Sequence, residues 1–175
     1  MLLKIDGIRT LQDARFAAAE GIDFLVFNFV TGDAGKVSAA LVKEIQGWLS
    51  GPQIGMWTET TGPGDIGDLE FSLLQSSDIN YLQKHPNIQS LIWMSSPKTM
   101  HLQSDISIQY HYSEIPLAGN LDKVWVELPN SVNAELLSDL QNRTVKGVVI
   151  GSSFFDDQGS LNYDICLDWL EHIRK

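Results

Sequence analysis

Four groups of residues carry side chains able to do chemistry. Lys4 and Asp6 stand two apart in a short apolar run, Leu2-Leu3-Lys4-Ile5-Asp6-Gly7. Side chains alternate along an extended strand, so these two project to the same face. A carboxylate there can serve as a general base. It can equally accept hydrogen bonds or pair with the lysine, because a buried charge needs a partner. His111 and Glu114 close a second run, Ile108-Gln109-Tyr110-His111-Tyr112-Ser113-Glu114. Both residue types can donate a proton near neutral pH in a suitable environment. Their bland readings are a hydrogen-bonded histidine between two tyrosines and a solvated loop charge. Gly151-Ser152-Ser153 ends a third run, where backbone N–H groups can cradle an anion. Trp57, Glu59, Gln75, Trp93, Trp125 and Glu127 lie at or near the ends of others. The tryptophans can stack a ring or sugar face, although buried tryptophan more commonly just fills a core.

Composition narrows what these groups can act on. With 175 residues and 43% hydrophobic content, the chain suits one globular domain with a substantial core. A net charge of −10 argues against nucleic acid or an anionic membrane as a general partner. It also gives no long-range attraction to a phosphorylated substrate, so a phosphate site must be built locally from backbone amides. The single cysteine, Cys166, supports neither an internal disulfide nor a metal cluster, and a reducing cytoplasm is the expected setting. No metal or cofactor is expected. No apolar run is long enough to cross a membrane, and Met1–Asp6 reads as a strand rather than a signal peptide.

Short apolar runs alternate with amphipathic segments, the pattern of an α/β protein. Strands are expected at Leu2–Gly7, Phe24–Val30, Gln53–Thr58, about Glu70–Gln75, Gln89–Met94, Ile106–Tyr112, Lys123–Leu128 and Lys146–Gly151. The first helix opens at Thr10, with Asp13 three residues on in a capping-box pattern, and Gly21 ends it. The second starts near Ser38 and stops at Gly51-Pro52. Further helices are expected at Asp78–His85, at about Asn133–Gln141, and from near Asn162, where Ile165, Trp169 and Ile173 form one stripe. Glu59–Leu69, Ser95–Asp105 and Ser113–Asp122 contain glycine or proline and no helical face, so they read as loops. Missing helices would leave strand faces uncovered, and a second copy of the chain could hide them. A homodimer is therefore expected, with loops folding back as the alternative.

The residues at both ends resemble one family. Lys4-Ile5-Asp6-Gly7-Ile8, Asp13-Ala14, Ala18-Ala19-Glu20-Gly21, Phe27-Asn28-Phe29, Lys36-Val37-Ser38 and Ile54-Gly55-Met56-Trp57 are similar to the opening third of phosphoribosylanthranilate isomerase. Gly147-Val148-Val149-Ile150-Gly151-Ser152-Ser153 and Gly159 resemble that family's last strand and phosphate loop. Residues 60–145 follow it only in the order of elements. The resemblance implies a shortened (β/α)8 TIM barrel of one domain, residues 1–175, with about three outer helices replaced by loops. It implies an active site at the C-terminal ends of the strands, and an Amadori rearrangement, an aldose–ketose isomerisation, in tryptophan biosynthesis.

Residue by residue, the likeness is partial. Asp6 stands where the family has its catalytic cysteine. The related histidine-biosynthesis isomerase uses an aspartate at the end of its first strand for similar chemistry. No aspartate ends the sixth strand, where the family keeps its general acid, which leaves His111 or Glu114. Gly35 takes the place of an arginine that holds the substrate carboxylate. The adjacent Lys36 lacks the planar fork. The family's glycine pair after the seventh strand is replaced by Leu128-Pro129-Asn130-Ser131, and proline has no N–H to offer a phosphate. Gln75 replaces a histidine.

Two functions are expected from this. One is a divergent isomerase-like paralogue with weakened, altered or lost family activity, taking a small phosphorylated or carbonyl compound. Asp6 is then the base, His111 or Glu114 the acid, and Lys4, Lys36, Gln75, Gly151, Ser152 and Ser153 line the substrate and phosphate site. The other is a non-catalytic barrel that binds a protein partner or itself through bare sheet faces.

Overall fold

The apolar runs become strands that pair with their neighbours in sequence, and the last pairs with the first. In the computed structural model, eight parallel strands close into a barrel in the order β1 to β8. The structure describes residues 1–59, 69–94, 106–115 and 121–174. The strands are β1 (Leu2–Asp6), β2 (Phe24–Asn28), β3 (Gln53–Trp57), β4 (Leu73–Ser76), β5 (Ser90–Met94), β6 (Ile106–His111), β7 (Val124–Glu127) and β8 (Gly147–Ile150). β8 returns to β1 with Leu2 opposite Gly147 and Ile5 opposite Ile150, which closes the ring. The helices are α1 (Leu11–Ala19), α2 (Ala39–Trp48), α3 (Ile79–Gln83), α4 (Ala134–Arg143) and α5 (Tyr163–Ile173).

Each helix starts on a side chain that suits the job. Thr10, Ser38, Asp78, Asn133 and Asn162 each accept a hydrogen bond from a backbone N–H two or three residues on. That satisfies one of the donors a first turn leaves unpaired. All eight strands are shorter than the sequence suggests, β4 and β6 among them. β4 begins at Leu73, not near Glu70. β6 ends at His111 because the chain turns at once into a 3-10 helix over Tyr112–Glu114, with the His111 ring capping Ser113 N–H. The three segments expected as helix-free loops fall largely outside the described residues. So does the expectation that they leave strand faces bare.

Alternation divides the strand residues between two apolar layers. Ile5, Leu25 and Phe27 turn outward and pack with the helix faces in the larger one. Phe24, Val26, Leu73, Ile92, Trp125 and Val149 fill the barrel interior, with Leu2 and Trp57 against them. Trp125 is fully buried and meets Phe24 edge to face at 5.9 Å. Its indole needs the space at Gly147, where an added Cβ would come within 2.6 Å of the ring and 2.5 Å of the Leu2 carbonyl. The space-filling reading therefore holds for this tryptophan. Outside the barrel, Trp169 donates to the Pro129 carbonyl at 2.8 Å and fixes α5 to the chain after β7. Cys166 is buried on the same helix, and burial pushes its thiol up to about 12, which leaves it without thiolate reactivity.

Candidate active site at the barrel mouth

Lys4 and Asp6 share the inner face of β1, as alternation requires. The Lys4 ammonium is fully buried and lies 5.6 Å from the centre of the Trp125 ring. Its hydrogen bonds run to Asp6 Oδ2 at 3.0 Å, Gln75 Oε1 at 2.5 Å and Gln109 Oε1 at 2.7 Å. An ammonium has three protons to give, so these partners use it completely. Each glutamine then turns its other end to the same carboxylate. Gln75 Nε2 donates to Asp6 Oδ2 at 3.0 Å and Gln109 Nε2 at 3.1 Å. The result is a closed ring of four side chains from β1, β4 and β6 above the apolar interior. Burial pulls the Lys4 ammonium below the ordinary lysine value, while the Asp6 charge and hydrogen bond act the other way.

The two oxygens of Asp6 are not equivalent. Oδ2 accepts all the hydrogen bonds described above. Oδ1 lies 2.8 Å from Lys4 Nζ, a charge contact, yet no donor is aligned with it. Asp6 also lines a cavity of about 240 Å³ at the C-terminal ends of the strands. Oδ1 is thus a buried acceptor with no aligned donor, on a residue that lines the mouth.

A second carboxyl stands beside it. Glu127 ends β7 and is half-buried. Burial raises its carboxyl above the ordinary glutamate value, and the Asp6 charge raises it further. His111, Lys4 and a hydrogen bond with Gln109 pull the other way. The Glu127 carboxyl occupies the space above Gly151, where a Cβ would lie 2.1 Å from Oε1. Gly151 is what lets that carboxyl enter the mouth.

The other residues singled out in the sequence scatter. Gln75 and Lys4 belong to the buried ring. His111 and Glu114 are exposed on the rim, and the His111 Nδ1 is engaged with Ser113 Oγ at 2.8 Å. Lys36 is exposed in the β2–α2 loop and is not among the cavity's lining residues. Ser152 lines the cavity, whereas the Ser153 hydroxyl is turned to the Leu128 carbonyl at 3.4 Å. Trp57 lines the cavity, and Trp93 donates to the Ser77 carbonyl at 3.0 Å. A larger depression of about 480 Å³ lies at the opposite end, against residues such as Leu2, Phe24 and Gln53 that start strands. It holds none of these groups, and barrels of this kind work from the other face.

Solved structures with this architecture span the whole chain. A phosphoribosylanthranilate isomerase from Thermus thermophilus superposes with a TM-score of 0.76, covering 99% of this chain and 98% of its own at 14% identity. The fold is that of phosphoribosylanthranilate isomerase. Two more structures agree. One is such an isomerase in complex with reduced 1-(o-carboxyphenylamino)-1-deoxyribulose 5-phosphate (TM-score 0.73, 16% identity, 99% of both chains). The other is the enzyme from Thermotoga maritima (TM-score 0.73, 15% identity, 99% of both chains). Neither a sequence-family model nor a curated protein matches the chain. At these identities the likeness is one of fold, and a fold hosts many chemistries. A phospho-2-dehydro-3-deoxyheptonate aldolase from Thermotoga maritima also superposes, with a TM-score of 0.66 at 9% identity over 99% of this chain and 67% of its own.

Sequence reading named Glu127 among the strand-end residues without giving it a role, and it missed Gln109. Glu127 was visible as a strand-end acid, two residues after the inward Trp125 and so on the same face. Gln109 was visible in the same way, two residues before His111. What the sequence does not carry is that both converge with Asp6.

Proposed function

We propose that this barrel is a small-molecule isomerase, a divergent counterpart of phosphoribosylanthranilate isomerase whose activity on that enzyme's substrate is weakened, altered or lost. The observation that carries the reading is the pair of carboxyls at the mouth. Asp6 is ion-paired with Lys4, while Glu127 is biased towards its protonated form. Carboxyls whose environments set them apart let one site run acid and base chemistry near neutral pH. Asp6 Oδ1 takes a proton from the carbon next to a carbonyl or imine. Glu127 gives one to the oxygen or nitrogen, and the enol or enamine collapses to the ketone as its hydroxyl gives up a proton and a proton returns at the neighbouring carbon. Glu127 fills the role that the sequence left to His111 or Glu114.

Altered specificity follows from what surrounds the pair. Gly35 has no side chain to hold a substrate. A phosphate brought to Gly151, Ser152 and Ser153 would meet the Glu127 carboxyl. The phosphorylated analogue belongs to the neighbouring structure. For this chain we favour a small carbonyl compound over a phosphorylated one, and we place the protein beside tryptophan biosynthesis as a paralogue. No helix among the described residues is long and apolar enough to cross a membrane, and the lone buried Cys166 fits a reducing cytoplasm.

Solvent deuterium tests the chemistry. The protein is incubated in D2O with a panel of aldoses and N-aryl ribosylamines that includes phosphoribosylanthranilate. Wild type is expected to incorporate label at C1 of the ketose product from at least one compound, with phosphoribosylanthranilate a poor one, and Asp6→Asn to abolish it. No label in any compound retires the isomerase reading. We also propose a homodimer. A comparable isomerase from Thermotoga maritima is described as dimeric, and light scattering here is expected to give twice the 19.5 kDa chain mass. A sharp monomer across the concentration range removes that proposal. The reading as a partner-binding barrel relied on faces beside segments outside the described residues, and nothing among the described residues favours it.

A further inference from the structure

The two glutamines of the buried ring make the same contacts with Lys4 and Asp6 and differ beyond them. Each accepts from Lys4 Nζ through Oε1, at 2.5 Å for Gln75 and 2.7 Å for Gln109. Each donates through Nε2 to Asp6 Oδ2, at 3.0 Å and 3.1 Å. An amide nitrogen carries two protons, so each glutamine has one more to place. Gln75 Nε2 meets Met94 Sδ at 3.0 Å, and a thioether is a weak acceptor. Gln109 instead has a hydrogen bond with the Glu127 carboxyl, one that favours the charged form, as donation to a carboxylate does.

The Gln109 amide has one way to face. An ammonium only donates, so the amide oxygen must be turned to Lys4. Its NH2 group is left on the other side, where both protons meet carboxyls. Strand register supplies the second of these. Gln109 lies opposite Trp125 and His111 opposite Glu127 across β6 and β7. Gln109 and Glu127 are therefore diagonal neighbours on the inner face, within reach of long side chains.

Glu127 needs such an anchor. Asp6 and Lys4 act on it from β1 and His111 from β6, while Gly151 leaves it room from β8. Two carboxyls side by side repel when both are charged, and a half-buried glutamate can turn out to solvent. Gln109 Nε2 is bonded to both carboxyls at once, and Gln109 is itself only 6% exposed. A single buried nitrogen thus fixes the spacing of the pair.

We propose that Gln109 is the positioning residue of this site, giving one amide proton to Asp6 and the other to Glu127 so that the two carboxyls address the same substrate. Gln75, its near twin in the ring, has no such part. The assignment of acid and base roles rests on the function proposed above. The bridge itself is a property of the resting protein and is measured without turnover.

The twin glutamines provide the test, with the full chain throughout. Gln109→Met and Gln75→Met each take one amide from Lys4 and Asp6, and only the first takes a donor from Glu127. The Glu127 carboxyl carbon is titrated by NMR in both variants. Losing a donor disfavours the charged form, so the Glu127 midpoint is expected to rise in Gln109→Met above its value in Gln75→Met. Gln109→Asn, whose amide is one carbon shorter, is expected to move it in the same direction and serves if Gln109→Met does not fold. Where a compound exchanges deuterium, Gln109→Met is expected to lower kcat by roughly ten- to a hundredfold, the scale of a misplaced group, with KM little changed. Its alkaline limb is expected to move up with the Glu127 midpoint, because the acid must hold its proton to donate it. Equal midpoints in the two methionine variants, or a slower rate with an unmoved limb, overturns the proposal and leaves Gln109 a structural member of the ring. Deuterium exchange in wild type with equal midpoints removes this proposal alone. A midpoint that moves only in the Gln109 variants, with no exchange in any compound, leaves the bridge standing and removes the isomerase.

Discussion

Replacing Lys4 with methionine is expected to destabilise the protein by about 3–5 kcal/mol, the usual cost of removing one member of a buried ion pair. Two effects oppose each other in this variant. The substitution relieves the desolvation that holds the Lys4 ammonium below its ordinary value. It also strands Asp6, which is 8% exposed, and takes the donor from Gln75 Oε1 and Gln109 Oε1. The second effect is larger because three acceptors lose a partner where water has little access. Urea unfolding of Lys4→Met, Asp6→Asn and the double variant measures it, and the double-mutant cycle should show coupling of about 1–3 kcal/mol. A loss below about 1 kcal/mol in Lys4→Met would mean that the ring of four does not hold the barrel mouth together.

That ring shows what was legible and what was not. Alternation placed Lys4 and Asp6 on one face, and pairing between them was one of the two roles left open for Asp6. Gln75 was identified as a strand-end residue, but only barrel closure brings it to the same ammonium as Gln109, 105 residues from Lys4 in sequence. Strands and helix starts were legible because they are local: Thr10, Ser38, Asp78, Asn133 and Asn162 announce their helices within three residues. His111 shows the opposite case. It sits at a strand end, where a catalytic group is expected, but the chain turns immediately and uses the ring as a cap.

Glu127→Gln is expected to do two things at once. Turnover of whichever compound incorporates deuterium should fall by about two to four orders of magnitude, the usual contribution of a positioned general acid. Stability should rise at the same time. The folded protein holds the Glu127 carboxyl above its unfolded value of 4.5. Its contribution is therefore fully present below that value and is lost as pH rises through the folded one. Glutamine imitates the protonated acid and does not lose it. The variant should melt higher than wild type at pH 8, with the difference closing as pH falls below 4.5. Such an exchange of activity for stability is expected of a group kept strained for function. Thermal melts across that pH range, paired with the exchange assay, separate this outcome from a purely structural glutamate, whose removal would lower stability and leave exchange intact.

The most direct test of the acid–base pair is the titration of Glu127 itself, followed through its side-chain carboxyl carbon by NMR in selectively labelled protein, with Glu127→Gln to assign the signal. A midpoint clearly above the ordinary glutamate value, moving down when Asp6 is replaced by asparagine, is the predicted result, because burial and the Asp6 charge both hold the proton on. A midpoint at about 4.3, unchanged by Asp6→Asn, would mean that the mouth carries two ordinary carboxylates and no acid for the proposed reaction.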